Sequence, residues 1–182
     1  MTYPVEIRTN HLVIREFSAG DAGNLFLVTS DPEVTRYLQF EPTSQAETQG
    51  LVDFAIGSSV SVPRTDYALA IVESRTDSLV GSCGLEASDD DPFAAELYFV
   101  FRRNRWGQGF ASELVPALID LALGSAGYTS VFGVVHPDNG ASVRVLERAG
   151  MVRDGVTAEA FPDAAGPEGR WRDGLRYAIL RS

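Results

Sequence analysis

Apolar and polar positions along this chain fall into short runs whose period shifts between two and 3.6. "LVIREF" (12–17) reads as a strand. Ser18 then offers a helix cap with Asp21 three residues on, and an apolar helical run extends to Val28. "DPEVTRYL" (31–38) starts with Asp31 as cap and Pro32 at the first helical position. "SQAETQGLVDFAIG" (44–57) carries a capping box, Ser44 with Glu47, and places Gly57 just past its end. "YALAIVES" (67–74) and "SLVGSCGLEA" (78–87) are apolar runs of strand length around the turn "RTD". "FAAELYFVF" (93–101) is a further strand, followed by a glycine-bearing turn and a helix to about Leu123. "TSVFGVV" (129–135) is a strand, and "NGASVRVLERAG" (139–150) is a short helix with Asn139 as cap and Gly150 as stop. "MVRDGVTA" and "RWRDGLRYAILR" close the chain as strands.

Helices therefore lie early, an antiparallel meander lies in the middle, and strand–helix–strand–helix–strand units follow. That order predicts a single α/β (α+β) domain spanning residues 1–182, with a mixed, mostly antiparallel sheet of about seven strands flanked by helices. The steady βαβ alternation of a dinucleotide fold is missing. No internal repeat, low-complexity tract or linker interrupts the chain. "SSVSVPRTD" (58–66), "ASDDDP" (87–92) and "PDAAGPEG" (162–169) read as loops.

Composition narrows the function. Apolar residues make up 45% and charged residues 22% of the 182, ordinary for a globular protein. No apolar run approaches a membrane span, the N-terminus has no signal-like apolar region, and the single Cys83 allows no intrachain disulfide. These features point to a cytoplasmic protein without a membrane partner. The net charge of −10 argues against a nucleic-acid surface but leaves room for a cationic acceptor. All 15 basic residues are arginine, which excludes a lysine-based mechanism and a Walker-type phosphate loop.

Against that acidic background, "VFRRNRWGQGFASE" places three arginines and two glycines between a strand and a helix. The amides of such a turn and of the helix's first residues lack partners, and the helix dipole adds partial positive charge. Gly107 and Gly109 let an anion approach the backbone, and Arg102, Arg103 and Arg105 can add charge-assisted bonds. The competing reading is a tight turn with a helix cap and solvated arginines. As a dinucleotide fingerprint the stretch fails, because the third glycine is absent and no acid follows at the required distance.

The run "AAELYFVFRRNRWGQGFASELV" resembles the acyl-CoA-binding motif of the GNAT superfamily of N-acyltransferases. Gly109 and Ala111 match the motif's last two positions, and Trp106 stands where the family usually has arginine or glutamine. This variant is similar to the branch containing the ribosomal-protein N-terminal acetyltransferases. "HLVIREFSAGDAGNLFLVTSDPEVTRYL", "VVHPDNGASVRVLERAGMVRDG" and "RWRDGLRYAIL" look like further segments of that branch, so the likeness runs from about Arg8 to Leu180. The resemblance implies a GNAT-like fold in which two central parallel strands, 93–101 and 129–135, splay apart around pantetheine. It implies acetyl-CoA as co-substrate, held by Phe99 and Val100, by Arg105, Trp106, Gly107, Gln108, Gly109, Phe110 and Ala111, and by Asn139 and Ser142. It implies direct transfer to a primary amine in a ternary complex, with a backbone N–H near Tyr98 or Phe99 polarising the thioester. The acceptor expected first is a protein N-terminal α-amino group, with a polyamine or aminoglycoside as rivals. A monomer or a homodimer would serve equally. A non-catalytic acyl-CoA sensor, and a hydrolase or dinucleotide enzyme, are the readings from other classes.

The catalytic residues implied are Ser142, as proton donor to the departing thiolate, and Glu96, as base. Plain capping by Asn139 and Ser142, and a structural role for Glu96, are the alternatives. The family's usual tyrosine acid is absent from "VRVLERAG". Glu86 is a weaker base, and Glu41, Asp163 and Glu168 lie in segments expected to wall the acceptor site. His11 and His136 have no metal-ligand spacing, so no metal is expected. Cys83 reads as a small core residue, "EASDDDP" as a solvated hairpin tip, and Trp171 as core. Pro116 falls well inside the helix after the glycine turn and is expected to kink it.

Overall fold

The computed structural model describes residues 4–39, 43–163 and 171–181. Local signals set most element starts. The Asp31 carboxylate accepts the Glu33 N–H at the head of α2 (Pro32–Thr35), a single turn that follows α1 (Ala22–Thr29). The capping box forms at α3 (Gln45–Ser59), where Ser44 accepts from the Glu47 amide and Glu47 accepts from the Ser44 amide. Asp21 accepts from the amide and hydroxyl of Ser18 and takes a bidentate pair from Arg15, which anchors the entry to α1.

One eight-stranded sheet carries these helices. Its strands are β1 (Glu6–Arg8), β2 (Leu12–Glu16), β3 (Asp66–Glu73), β4 (Ser78–Ala87), β5 (Ala94–Phe101), β6 (Ser130–Val135), β7 (Val152–Pro162) and β8 (Trp171–Leu180). They lie in the order β1-β2-β3-β4-β5-β6-β8-β7. Every neighbouring pair is antiparallel except β5 and β6, which run parallel because α4 (Phe110–Leu123) crosses over between them. The short edge strand β1 adds one to the seven foreseen, and α5 (Gly140–Arg148) leads from β6 to the far edge.

The sheet is buried on both faces. Leu114 and Leu118 of α4 and Leu146 of α5 pack on Leu12, Ile14, Leu69, Ile71 and Leu97. On the opposite face Leu25 and Val28 of α1 and Val52 of α3 pack on Ala70 and Leu79. Residues 69–71 of β3 thus alternate between the two helical layers, as the pleat requires. Among the described residues no helix is long and apolar enough to cross a membrane.

Two expectations change, and a third gains a setting. Gly57 lies inside α3, which continues to Ser59. Trp171 is half-exposed rather than core. Pro116 sits inside an α4 that continues to Leu123, on the helix's exposed face, where water can satisfy the Ser112 carbonyl that loses its donor.

Candidate active site

β5 and β6 pair at only three positions, Ala94 to Glu96 with Ser130 to Phe132, and then part. Beyond Glu96 the rest of β5 has no ladder partner on that side, so its backbone groups there are left for a ligand. Two cavities meet at this gap. The first, about 460 Å³, lies between the start of α4 and α5. The second, about 410 Å³, lies under α1 and α3 and is bordered by Phe54, Tyr98 and Phe161. Tyr37, Leu38, Phe99, Val100, Asn139 and Ser142 border both.

The glycine turn forms one wall of the first cavity. A 3₁₀ turn over Arg103–Arg105 leads into it. The Trp106 indole N–H donates to the Phe101 carbonyl at 2.9 Å, and the Gln108 amide donates to the Asn104 carbonyl at 2.9 Å. Gly109 then adopts φ +84°, a left-handed conformation that costs other residues about 1–2 kcal/mol. As cap it offers no side chain, so the first amides of α4 stay open toward the cavity. Glu113 in that first turn is drawn away. It accepts from the Thr9 hydroxyl at 2.8 Å and the His11 amide at 3.1 Å, and lies 2.5 Å from the His11 ring. The helix dipole is therefore not neutralised from the cavity side.

Every residue expected to hold the coenzyme borders this first cavity: Phe99, Val100, Arg105 through Ala111, Asn139 and Ser142. The arginines behave differently from expectation. Arg105 borders the cavity but is tied to Glu73 at 3.1 Å, Arg102 reaches back to Asn24, and Arg103 is exposed. Arg144 and Arg148 of α5 border the cavity instead. Their i, i+4 spacing on one helix face with Ala141 and Val145 was the available signal.

The second cavity gathers three carboxylates. Asp66 lies opposite Glu86 across β3 and β4, and Glu86 lies opposite Glu96 across β4 and β5. Burial, reinforced by the Glu86 charge, pushes the Glu96 carboxyl up to about 7, against the pull of Arg176 and the Val134 N–H. Burial and Asp66 raise Glu86 as well. Tyr98 folds over Gly84, where any Cβ would fall 2.2 Å from the Tyr67 carbonyl and 2.4 Å from the Tyr98 hydroxyl.

Ser142 and Asn139 divide their work at the start of α5. The Asn139 side chain accepts the Ser142 N–H at 3.2 Å and so supplies the cap. Ser142 gives only its backbone N–H to that cap and borders both cavities. Tyr37, from the segment "YLQFEP" expected to wall the acceptor site, borders the same junction. His136 borders the second cavity too, with its ring between Tyr37 and Phe161.

The remaining candidates fall elsewhere. Glu41 and Glu168 lie outside the described residues. His11 serves Glu113, Cys83 is buried in the core, and Asp89 to Asp91 are exposed at a hairpin tip. Trp171 does not border the second cavity. Among the described residues no group of three or more His, Cys, Asp or Glu is placed to hold a metal ion.

Residues 11–152 match the GNAT acetyltransferase domain. The chain is 29% identical to p20, an uncharacterized N-acetyltransferase from Bacillus licheniformis, over 95% of this chain and 94% of that one. Its fold is shared with RimL, a ribosomal L7/L12 α-N-protein acetyltransferase solved with coenzyme A. That match has a TM-score of 0.80 at 20% identity and covers 97% and 98% of the two chains. The fold is shared equally with spermidine N-acetyltransferase from Vibrio cholerae, solved with coenzyme A and spermine. Here the TM-score is 0.78 at 21% identity, over 94% and 96%.

Proposed function

The chain belongs to the GNAT acetyltransferase family, and on that premise we propose that it moves an acetyl group from acetyl-CoA directly to an α-amino group seated in the second cavity. One observation carries the reading: the two cavities share a wall at Phe99, Val100, Asn139 and Ser142. A coenzyme in the first and an amine in the second would meet there, and that proximity supplies much of the rate.

In this mechanism the pyrophosphate rests on the amides of Gly107 to Ala111 and the start of α4. Pantetheine follows the unpaired edge of β5, and a backbone N–H near Phe99 polarises the thioester carbonyl. Glu96 takes the proton from the attacking amine, directly or through water. The C–N bond forms, the C–S bond breaks, and the Ser142 hydroxyl protonates the thiolate, after which water reprotonates Ser142 and takes up the proton held by Glu96.

The base favours an α-amino acceptor. A carboxylate near 7 lies about one unit below an α-amino group near 8, but more than three below an alkyl amine near 10.4. The RimL likeness leans the same way. A second reading, a polyamine acceptor, draws support from the row Asp66, Glu86 and Glu96 and from the spermidine enzyme's likeness. Thiol release and product mass settle the choice, using N-terminal peptides, N-blocked lysine peptides, polyamines and aminoglycosides. Acetylation of the N-terminal peptides alone supports the α-amino reading. Acetylation of the small amines alone refutes it. Coenzyme binding without any product points to a sensor.

A further inference from the structure

We infer that His136 is a specificity-determining residue, whose Nε2–H donates to a carbonyl oxygen beside the reacting amine and so selects α-amino acyl acceptors over plain alkyl amines. This assignment rests on the second cavity being the acceptor site.

The tautomer follows from one hydrogen bond. The Asp138 backbone N–H donates to His136 Nδ1 at 3.1 Å. A donor aimed at Nδ1 requires a lone pair there, so the ring's single proton sits on Nε2. The Asp138 carboxylate, 3.9 Å from Nδ1, would favour an imidazolium. It is instead engaged by Arg172 at 2.7 Å. Burial and the Arg172 charge hold the ring below its ordinary pKa, and they outweigh Asp138 and Asp163. The imidazole is a neutral, one-sided donor.

Its surroundings are defined as well. His136 follows β6 and is only 8% exposed. Its ring centroid lies 5.1 Å from that of Tyr37 and 5.3 Å from that of Phe161, the latter edge-on. Among the described residues the only fully buried side-chain polar atoms without a partner are the Nε atoms of Arg102 and Arg105. Among the described residues His136 Nε2 has no hydrogen-bond partner, and the residue borders the second cavity.

The cavity therefore offers two kinds of group. Glu96, Glu86 and Asp66 accept, which suits the ammonium or amine. His136 Nε2 donates, which demands an acceptor atom on the same molecule. An α-amino acyl group brings a carbonyl oxygen three bonds from its nitrogen. A polyamine or alkyl ammonium brings none and leaves the donor unpaired in a desolvated site.

The test compares alanyl-alanine amide with butylamine under saturating acetyl-CoA, in wild type, His136→Phe and His136→Gln. Phe keeps a ring between Tyr37 and Phe161 but removes the donor, whereas Gln restores an N–H. Melting temperature and coenzyme A affinity report whether each variant stays folded. His136→Phe is expected to lower kcat/KM for the dipeptide amide roughly ten- to a hundredfold and to leave butylamine within about twofold. His136→Gln should recover part of the dipeptide loss. An equal fall for both substrates, or no fall for either, overturns the specificity role and leaves acetyl transfer standing. If the wild type acetylates neither amine while still binding coenzyme A, the proposed function fails first and this role fails with it.

Discussion

Glu86 and Glu96 stand directly opposite one another on β4 and β5, two carboxylates on one face of the sheet inside the second cavity. Burial pushes both carboxyls up, and a neighbouring charge adds to it, Glu86 at Glu96 and Asp66 at Glu86. If Glu96 is the base, activity with an α-amino acceptor should rise with pH through about 7 as the carboxylate forms. Glu96→Gln should lower kcat roughly 10²- to 10⁴-fold and abolish that limb, leaving only the amine's own ionisation near 8. Glu86→Gln removes a like charge, so the limb should move to lower pH. Unchanged pH–rate profiles in both variants would exclude Glu96 as base.

The coenzyme loop depends on Gly109 at φ +84°, where a Cβ would meet no protein atom within 4 Å. Its replacement therefore acts through backbone strain and phosphate approach, not through internal clash. Gly109→Val should cost about 1–2 kcal/mol of stability and weaken coenzyme A binding at least tenfold. Calorimetry checks this directly. Undiminished affinity in the folded variant would remove the loop from the site.

Asn139 supplies the cap of α5, and Ser142 only donates its backbone N–H to it. Asn139→Ala should lose about 1 kcal/mol of stability. Ser142→Ala should melt within roughly 0.5 kcal/mol of wild type, as expected away from a cap or core. Its kcat should nevertheless fall while KM for acetyl-CoA holds. Tyr37 borders the same junction and is the alternative acid. A drop in kcat for Tyr37→Phe, with Ser142→Ala intact, would transfer the role to it.

The sequence displayed those parts of the fold whose causes are local. Ser44 with Glu47, and Asp31 with Pro32, announce their helices because capping chemistry lies within one turn. Gly107 and Gly109 announce the loop because its positive φ angles demand them. Gly57 misled because a glycine signals a stop only when no packing continues the helix, and Ala55 and Ser59 are buried around it. β1 is three residues long and exists through its ladder to β2. The row of Asp66, Glu86 and Glu96 depends on register between three strands, which no single strand encodes. Arg144, Arg148 and His136 enter the site only through how α5 and the end of β6 dock.

Gly84 ties the sheet to the acceptor cavity through Tyr98. Its position on β4 lies beneath the Tyr98 ring, and an added Cβ would fall 2.5 Å from the ring carbon that bears the hydroxyl. The Tyr67 carbonyl at 2.2 Å belongs to the backbone of β3 and cannot swing aside. Gly84→Ala must therefore shift the strand, displace Tyr98, or both. Overpacking of this kind costs typically about 1–3 kcal/mol, visible as a lower melting temperature. The functional consequence is more specific. Tyr98 borders the second cavity but not the first, so KM for the amine should rise while affinity for coenzyme A stays near wild type. A companion Tyr98→Phe variant keeps the ring and removes only the hydroxyl, which separates displacement of the ring from loss of a polar contact. If Gly84→Ala weakened coenzyme A and amine equally, the second cavity would not be a separate acceptor site.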